Sequence, residues 1–259
     1  LKTPEQFKNQ YNIKAVVNSE VISADPKDKT VRVKNTETGE ITKHTYDELV
    51  LSPGAKPIMP TTIKGIEKEN VFSVRNVVDI KEIQKYLTDK KVADVAVIGG
   101  GFIGLEVCEN LVEAGKNVSI IEASSQVLQT VDDDFAQLVH KNLYDHGVNL
   151  ILDDGLSEIS DTEVTLASGK KIKAQAVIMA IGVQPETTLA TKIGCKLGVT
   201  GGIAVDQHFE TSIPHVYAVG DAIEVTNRLT RKKTRLALAF PAQIQARDVA
   251  DHIYGRKVN

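Results

Sequence analysis

One stretch of the chain, residues 94–122, restricts the possible folds more than any other. It reads DVAVIGGGFIGLEVCENLVEAGKNVSIIE. The apolar run Val95–Ile98 has the composition of a buried parallel strand, and three glycines at the spacing G-x-G-x-x-G follow it. The next residues have the pattern of a helix that stops at Gly115, and a second apolar strand leads to Glu122. This order of strand, glycine turn, helix and strand predicts a βαβ unit.

The glycines and the final acid predict what this unit binds. Gly99 permits a sharp turn out of the strand, Gly101 permits backbone to approach a pyrophosphate, and Gly104 permits close packing of helix on strand. The N-terminus of the helix supplies N–H groups and a positive dipole end to the phosphates. Glu122 lies 18 positions (122 − 104) after Gly104, close to the ~20 expected of the carboxylate that binds a ribose hydroxyl. Because that carboxylate would repel a 2′-phosphate, the pattern predicts NADH over NADPH.

A different interpretation of the same glycines stays open. Glycines also serve ordinary turns, so a βαβ unit without a ligand is the alternative.

Composition and charge exclude several other classes. The 259 residues, 42% apolar and 25% charged, suit one large or two ordinary globular domains. The net charge of −3 predicts no nucleic-acid or anionic-membrane partner. No apolar run approaches the ~20 residues of a membrane span, and no signal-peptide pattern is present. Cys108 and Cys195 form neither C-x-x-C nor a metal-ligand cluster, so the sequence predicts a cytoplasmic protein, no metal, and thiols that are structural rather than catalytic.

Periodicity and turn residues predict the remaining elements. Thr3 caps a helix over 4–10, Asp79 caps one through residue 87, and a third begins at Pro241 and ends at Gly255. The three acids at 132–134 head an amphipathic helix, and we interpret them as dipole partners rather than metal ligands. Alternating segments predict an antiparallel meander over 15–17, 20–24, 30–34 and 40–45. Further strands are predicted at 46–51, 71–74, 148–152, 163–167, 170–173, 176–181, 203–205 and 216–219.

The predicted fold class is α/β, with a nucleotide unit inserted between two flanking segments. The nucleotide unit covers residues 70–187. The flanks, 1–69 and 188–259, are each incomplete, and we expect them to join into one domain because insertion points usually lie close together.

Several stretches, taken together, carry a family resemblance. They are YDELVLSPGAKP (46–57), VIGGGFIGLE (97–106), AIGVQP (180–185), TSIPHVYAVGD (211–221) and LALAFPAQIQAR (236–247), with TPEQFKNQYNI (3–13) and NSEV (18–21) at the start. The chain resembles the flavin-dependent pyridine nucleotide–disulfide oxidoreductases over essentially its whole length. The branch it most resembles contains coenzyme A–disulfide reductases, NADH oxidases and NADH peroxidases.

The resemblance implies an FAD-binding domain from the two flanks and an NADH-binding domain, Rossmann-like, from 70–187. It implies that Ser52, Pro53 and Gly54 lie against FAD, and that Asp221 accepts hydrogen bonds from the ribityl hydroxyls while Gly220 allows close approach. It also implies that the helix near Pro241 directs its N-terminus at the flavin pyrimidine, and that backbone at Val21 meets the adenine. On the NADH side it implies that Ile103 and Glu106 lie where nicotinamide and flavin stack, with Glu106 bonding the carboxamide. Phe102 and Gly182 complete this implied set.

The resemblance also implies that the chain is an internal piece. Members of the family begin with their own glycine turn for the FAD pyrophosphate, followed by a redox cysteine, and end in a dimerisation domain. We therefore expect a homodimeric parent, and a 259-residue piece that binds NADH, holds FAD weakly or not at all, and is inactive alone. No residue of this sequence is predicted as catalytic acid, base or nucleophile. The histidines are predicted to be structural or solvated on helix surfaces, loops and one strand: His44, His140, His146, His208, His215 and His252.

The predicted activity of the parent is hydride transfer from NADH to flavin. The flavin would then reduce a small-molecule substrate, either a disulfide such as coenzyme A disulfide or oxygen or peroxide, and the sequence does not distinguish these. The protein's contribution is orientation of the two rings and exclusion of water. The alternative is a non-catalytic NAD(H)-binding module.

Overall fold

A computed structural model describes residues 2–256 of the chain. The helices are α1 (Pro4–Tyr11), α2 (Val77–Asp89), α3 (Phe102–Glu113), α4 (Asp133–Asp145), α5 (Thr188–Lys192) and α6 (Ala239–Ile253). The strands are β1 (Ser19–Asp25), β2 (Thr30–Asn35), β3 (Ile41–Thr45), β4 (Leu49–Leu51), β5 (Ala55–Pro57), β6 (Val71–Ser73), β7 (Asp94–Ile98), β8 (Asn117–Ile121), β9 (Asn149–Ile151), β10 (Leu156–Ile159), β11 (Glu163–Leu166), β12 (Lys171–Lys173), β13 (Ala176–Met179), β14 (Val183–Pro185), β15 (Ile203–Ala204), β16 (Val216–Ala218), β17 (Ile223–Thr226) and β18 (Lys233–Thr234).

The chain divides into two compact units, whose boundaries differ from those expected. Unit 1 comprises residues 1–55 and 185–259, and unit 2 comprises 56–184. The sequence placed the divisions after residues 69 and 187. The shift has a physical cause, because Met59, Ile63 and Ile66 pack on the core of unit 2.

Unit 2 is built on a five-stranded parallel sheet in the order β6-β13-β7-β8-β9. The central strands β7, β8 and β13 are mostly apolar because both faces of the sheet are covered. From β7, Val95 and Val97 join a core with α2, α3 and α4, while Ala96 and Ile98 join the opposite core. That second core is closed by the antiparallel sheet β10-β11-β12.

Unit 1 contains three smaller sheets and the longest helix. The antiparallel meander β1-β2-β3 uses residues near the N-terminus, and β15-β17-β18 uses residues near the C-terminus. The strands β4 and β16 pair in parallel, with Leu49 opposite Val216. Against this pair packs α6, through Val249 and Ile253. β5 and β14 are the short segments at which the chain passes between the units.

Most predicted elements are confirmed. The α1 cap is a reciprocal pair, in which Thr3 accepts from the Gln6 N–H and Gln6 accepts from the Thr3 N–H. The meander over β1–β3 and the hairpin β11–β12 are present, and so are strands within the predicted ranges 46–51, 71–74, 148–152, 176–181, 203–205 and 216–219.

Some predicted elements are wrong. Residues 15–17 form no strand; Val16 and Val17 are exposed and lack a partner strand. The cap of α2 is Asn76, and Asp79 is the third helical residue, whose carboxylate accepts the Asn76 N–H. Helix α6 begins at Ala239, two residues before Pro241. The sequence did not predict β5, β10, β14, β17, β18 or α5.

Within residues 2–256, no helix is both long enough and apolar enough to cross a bilayer.

Candidate nucleotide-binding site

The glycine turn lies at the carboxyl edge of the parallel sheet, where ligands bind in open α/β folds. Gly99 has φ +106°, and an alanine Cβ built there would lie 2.5 Å from the carbonyl oxygen of Ala180. The Ala180 N–H in turn donates to the Ile98 carbonyl at 2.7 Å. The end of β13 therefore closes one side of the turn, and only glycine fits this position.

The other two glycines of the motif have different surroundings. A Cβ at Gly104 would lie 2.0 Å from the Gly99 carbonyl oxygen, so the absence of a side chain lets α3 pack on the turn. At Gly101 a Cβ would have nothing within 4 Å, and φ is −79°. Gly101 is the N-cap of α3, with no capping side chain. Neither its backbone nor its neighbours require glycine, and the open space beside it is where the sequence predicts the pyrophosphate.

Glu122 holds the turn with both carboxylate oxygens. Its Oε2 accepts the Gly100 N–H at 2.7 Å, and its Oε1 accepts the Ser124 N–H at 2.9 Å. Because a carboxylate oxygen has two lone pairs, each oxygen can still accept a ligand hydroxyl. The carboxylate predicted to bind a ribose thus also orders the backbone of the turn.

Gly100, between Gly99 and Gly101 of the motif, was not predicted as a site residue. Gly100 is buried, and a Cβ there would lie 2.7 Å from Cγ1 of Val127. The Gly100 carbonyl accepts the Leu128 N–H at 2.9 Å. The sequence signal for Gly100 was the run of three consecutive glycines at 99–101, because the motif itself requires only the first and the third.

The residues predicted near nicotinamide lie in the first turns of α3 and just after β13. Phe102, Ile103 and Glu106 are exposed, Phe102 to 61%. Gly182 is exposed with φ +116°. The structure of unit 2 thus brings the glycine turn and Glu122 together and leaves these four residues accessible.

Four residues predicted to contact flavin line one cavity of unit 1. The cavity measures about 470 Å³. The predicted residues that line it are Ser52, Gly54, Gly220 and Asp221, and α6 contributes Ala242, Ala246 and Ala250 among others. These alanines recur at every fourth position, and their small side chains line the cavity beside the larger Val249 and Ile253. Pro53, Val21 and Pro241 are not among the lining residues.

A buried glutamine that the sequence analysis missed sets the backbone of this cavity. Gln245 of α6 accepts the Gly220 N–H through Oε1 at 2.7 Å. Gly220 has φ +78°, and Asp221 follows in a short 3₁₀ turn. Gln245 therefore ties the turn that carries Asp221 to the helix that lines the cavity.

Both cysteines are buried and unactivated. Cys108 is 1% exposed in α3, and burial, with a smaller contribution from Glu109, raises the pKa of its thiol to about 11. Burial also raises the pKa of the Cys195 thiol, against the opposing effect of a hydrogen bond to Thr211. Neither thiol is a thiolate near neutral pH, as the sequence predicted.

We expect the native chain to resist thiol modification. Incubation with a chromogenic aromatic disulfide at about pH 8 is expected to label much less than one thiol per chain, because only the thiolate attacks. After denaturation both cysteines should react. Fast labelling of the native chain would contradict the assigned burial.

The histidines are structural or solvated, with one correction. His140 was predicted on a helix surface, yet it is 5% exposed on the buried face of α4, and its Nε2 accepts the Val127 N–H at 3.2 Å. His215 pairs with Glu48, and the rings of His208 and His252 stack at 4.3 Å. Over residues 2–256, His, Cys, Asp and Glu nowhere form a group of three able to hold a metal.

Unit 2 has a parallel sheet, a glycine turn after β7, helix α3 after the turn, and a carboxylate after β8. These features define a Rossmann-type dinucleotide-binding protein. The profile described as pyridine nucleotide-disulphide oxidoreductase matches residues 2–246. The chain belongs to this family, which confirms the resemblance inferred from its motifs.

Relatives and solved structures agree with this assignment. The chain is similar to an NADH oxidase of Methanocaldococcus jannaschii, with 36% identity over 259 residues, covering 98% of this chain and 57% of the relative. It is 31% identical over 255 residues to a coenzyme A disulfide reductase of Staphylococcus haemolyticus, again covering 98% and 57%. The crystal structure of reduced Bacillus anthracis CoADR-RHD superimposes with a TM-score of 0.96 and 43% identity, covering 100% of this chain and 47% of that one. The chain therefore spans little more than half the length of the curated relatives it matches.

Proposed function

We propose that the chain is part of an FAD-dependent NADH oxidoreductase that passes hydride from NADH to flavin. The observation that carries this proposal is the Glu122 carboxylate, fixed beside the glycine turn by the amides of Gly100 and Ser124. A turn so arranged suits a dinucleotide, and family membership supplies the reaction type.

The surroundings of the turn fit the two halves of NADH. The open space at Gly101 and the uncapped start of α3 suit the pyrophosphate, since N–H groups and the positive dipole end lie there. Glu122 would accept hydroxyl groups of the adenosine ribose. The exposed Glu106 would accept from the carboxamide N–H groups of nicotinamide, which donate only.

The cavity of unit 1 would hold part of the flavin. Asp221 would accept from hydroxyl groups, Gly54 and Gly220 would allow close approach, and the alanine side chains of α6 would pack on an aromatic ring. FAD, when bound, supplies a two-electron acceptor for hydride. Residues of this chain would bind and orient the cofactors and exclude water.

The electron acceptor and the assembly are further proposals. Relatives are named for NADH oxidation and for coenzyme A disulfide reduction. We propose that the whole protein passes electrons to one of these acceptors, a disulfide or oxygen or peroxide. Four further points stay predictions: the whole protein is a homodimer, it is cytoplasmic, it has no nucleic-acid partner, and its two units are an FAD domain and an NADH domain.

A second candidate function is a non-catalytic NAD(H)-binding module. It is favoured by the two unactivated thiols, because within residues 2–256 neither cysteine is suited to attack a disulfide. The sequence also contains a single G-x-G-x-x-G, which we assign to NADH. We therefore propose that residues 1–259 alone hold FAD weakly and do not turn over.

Two measurements test these proposals. NADH titrated into residues 1–259 is expected to bind and shift the amide resonances of Gly99–Gly104. The full-length gene product is expected to be yellow and to consume NADH with coenzyme A disulfide, oxygen or peroxide, assayed in parallel. A colourless full-length protein that still binds NADH would favour the non-catalytic module. No NADH binding by either protein would overturn both functions.

A further inference from the structure

We propose that His140 is a positioning residue for the dinucleotide turn, acting through the loop at residues 123–131. This inference rests on the proposed NADH site in unit 2. His140 belongs to α4, and its ring hydrogen bond is to Val127 of that loop.

The loop at residues 123–131 contacts the glycine turn at Gly100. Val127 is fully buried directly beneath Gly100, where an added Cβ would lie 2.7 Å from its Cγ1. The next residue, Leu128, donates its N–H to the Gly100 carbonyl at 2.9 Å. On its other side Gly100 donates to Glu122 at 2.7 Å. The loop and the carboxylate therefore hold the two peptide groups that flank the same residue, Gly100.

The backbone of the loop adopts an unfavourable conformation, which neighbouring residues must stabilise. Leu128 has φ +49°, a left-handed conformation that is unfavourable for a branched apolar residue. Such a conformation persists only where its surroundings impose it. One further internal tie is the hydrogen bond from Gln126 Nε2 to the Val131 carbonyl at 3.0 Å.

His140 supplies a hydrogen bond that holds the loop in place. Nε2 of the buried His140 accepts the Val127 N–H at 3.2 Å, so this nitrogen carries no proton. An apolar residue could fill the same position on α4 but could not accept this hydrogen bond. Without this acceptor, the buried N–H of Val127 would lack a hydrogen-bond partner, which costs free energy of folding. The loop would then relax, and Gly100 would no longer be held in register with Glu122.

The test compares NADH affinity with stability in matched variants of residues 1–259. His140→Leu removes the acceptor, whereas His140→Gln keeps one at similar reach. Ile172→Ala, in the antiparallel sheet on the opposite face of unit 2, is the control for general destabilisation. NADH dissociation constants, denaturation midpoints and amide hydrogen exchange of the unliganded chain would be measured for each.

We expect His140→Leu to raise the NADH dissociation constant roughly tenfold and to speed exchange at Val127 and Gly100. His140→Gln should stay within about threefold of wild type. Ile172→Ala should lower the denaturation midpoint without changing the affinity. An unchanged affinity in His140→Leu, when wild type binds NADH, would overturn the positioning role alone. Failure of wild type to bind NADH would overturn the proposed function, and unchanged exchange at Gly100 would still refute the anchor.

A second pair of variants covers the case in which His140→Leu does not fold. Gly100→Ala should weaken NADH binding because its methyl meets Val127. Adding Val127→Ala removes the nearest clashing atom and should restore part of the affinity. A double variant no better than Gly100→Ala would show that the loop does not support the turn, and it would overturn the proposal.

Discussion

Replacement of Gly104 by alanine is expected to destabilise unit 2 by about 3 kcal/mol or more. The new methyl would lie 2.0 Å from the Gly99 carbonyl oxygen and 3.1 Å from its carbon. Neither atom can move freely, because Gly99 is itself confined by Ala180. Helix α3 would have to lift away from β7 and expose part of a core that includes Cys108 and Leu111. Denaturant unfolding of the two chains, compared at constant m-value, measures this loss.

Gly101→Ala is the matched control, since it adds the same methyl three residues earlier. Nothing lies within 4 Å of that position and its φ is −79°, so stability should change by no more than about 1 kcal/mol. NADH affinity should nevertheless fall at least roughly tenfold, because the methyl would fill the space proposed for the pyrophosphate. Equal stability losses in the two variants would refute the assignment of separate packing and binding roles.

The second large effect concerns coenzyme choice. Glu122→Ala or Glu122→Arg is expected to shift the preference for NADH over NADPH by ~1–3 kcal/mol, the scale of a hydrogen bond to a charged group. Both variants also leave the amides of Gly100 and Ser124 without their acceptor. The loss of these hydrogen bonds weakens the binding of both coenzymes alike. The ratio of the NADH and NADPH dissociation constants therefore isolates the interaction of Glu122 with the ribose.

Glu113→Gln serves as the control for this series. It removes one negative charge from the exposed end of α3 and should leave the ratio unchanged. If Glu122→Ala changes both dissociation constants by the same factor, Glu122 orders the turn but does not select the coenzyme.

Features set by neighbouring residues could be predicted from the sequence. The turn from β7 into α3 was predicted because strand, glycines and helix are adjacent. The buried strands of unit 2 were predicted because both of their faces are apolar. Helix caps were predicted less well: Asn76 and Asp79 each accept the other's backbone N–H, so both residues have the character of a cap.

Features that depend on distant partners could not be predicted. β10 is a strand because it pairs with β11, and β17 because it pairs with β15 and β18. His140 lies on the same face of α4 as the buried Ala136 and Leu143, but the sequence does not show that its ring accepts the Val127 N–H from the loop before α4. Gln245 likewise has no sequence signal, because its partner Gly220 lies a whole segment earlier.

The parallel pairing of β4 with β16 has a consequence for synthesis on the ribosome. When Leu49–Leu51 leave the exit tunnel, the strand that they pair with has not yet been made. Translation of the intervening chain, at ~5–20 residues per second, delays its arrival by on the order of ten seconds or more. Residues 56–184 emerge complete within that interval and can fold first. The nascent β4 must meanwhile avoid other strand partners, which gives chaperones a defined period in which to act.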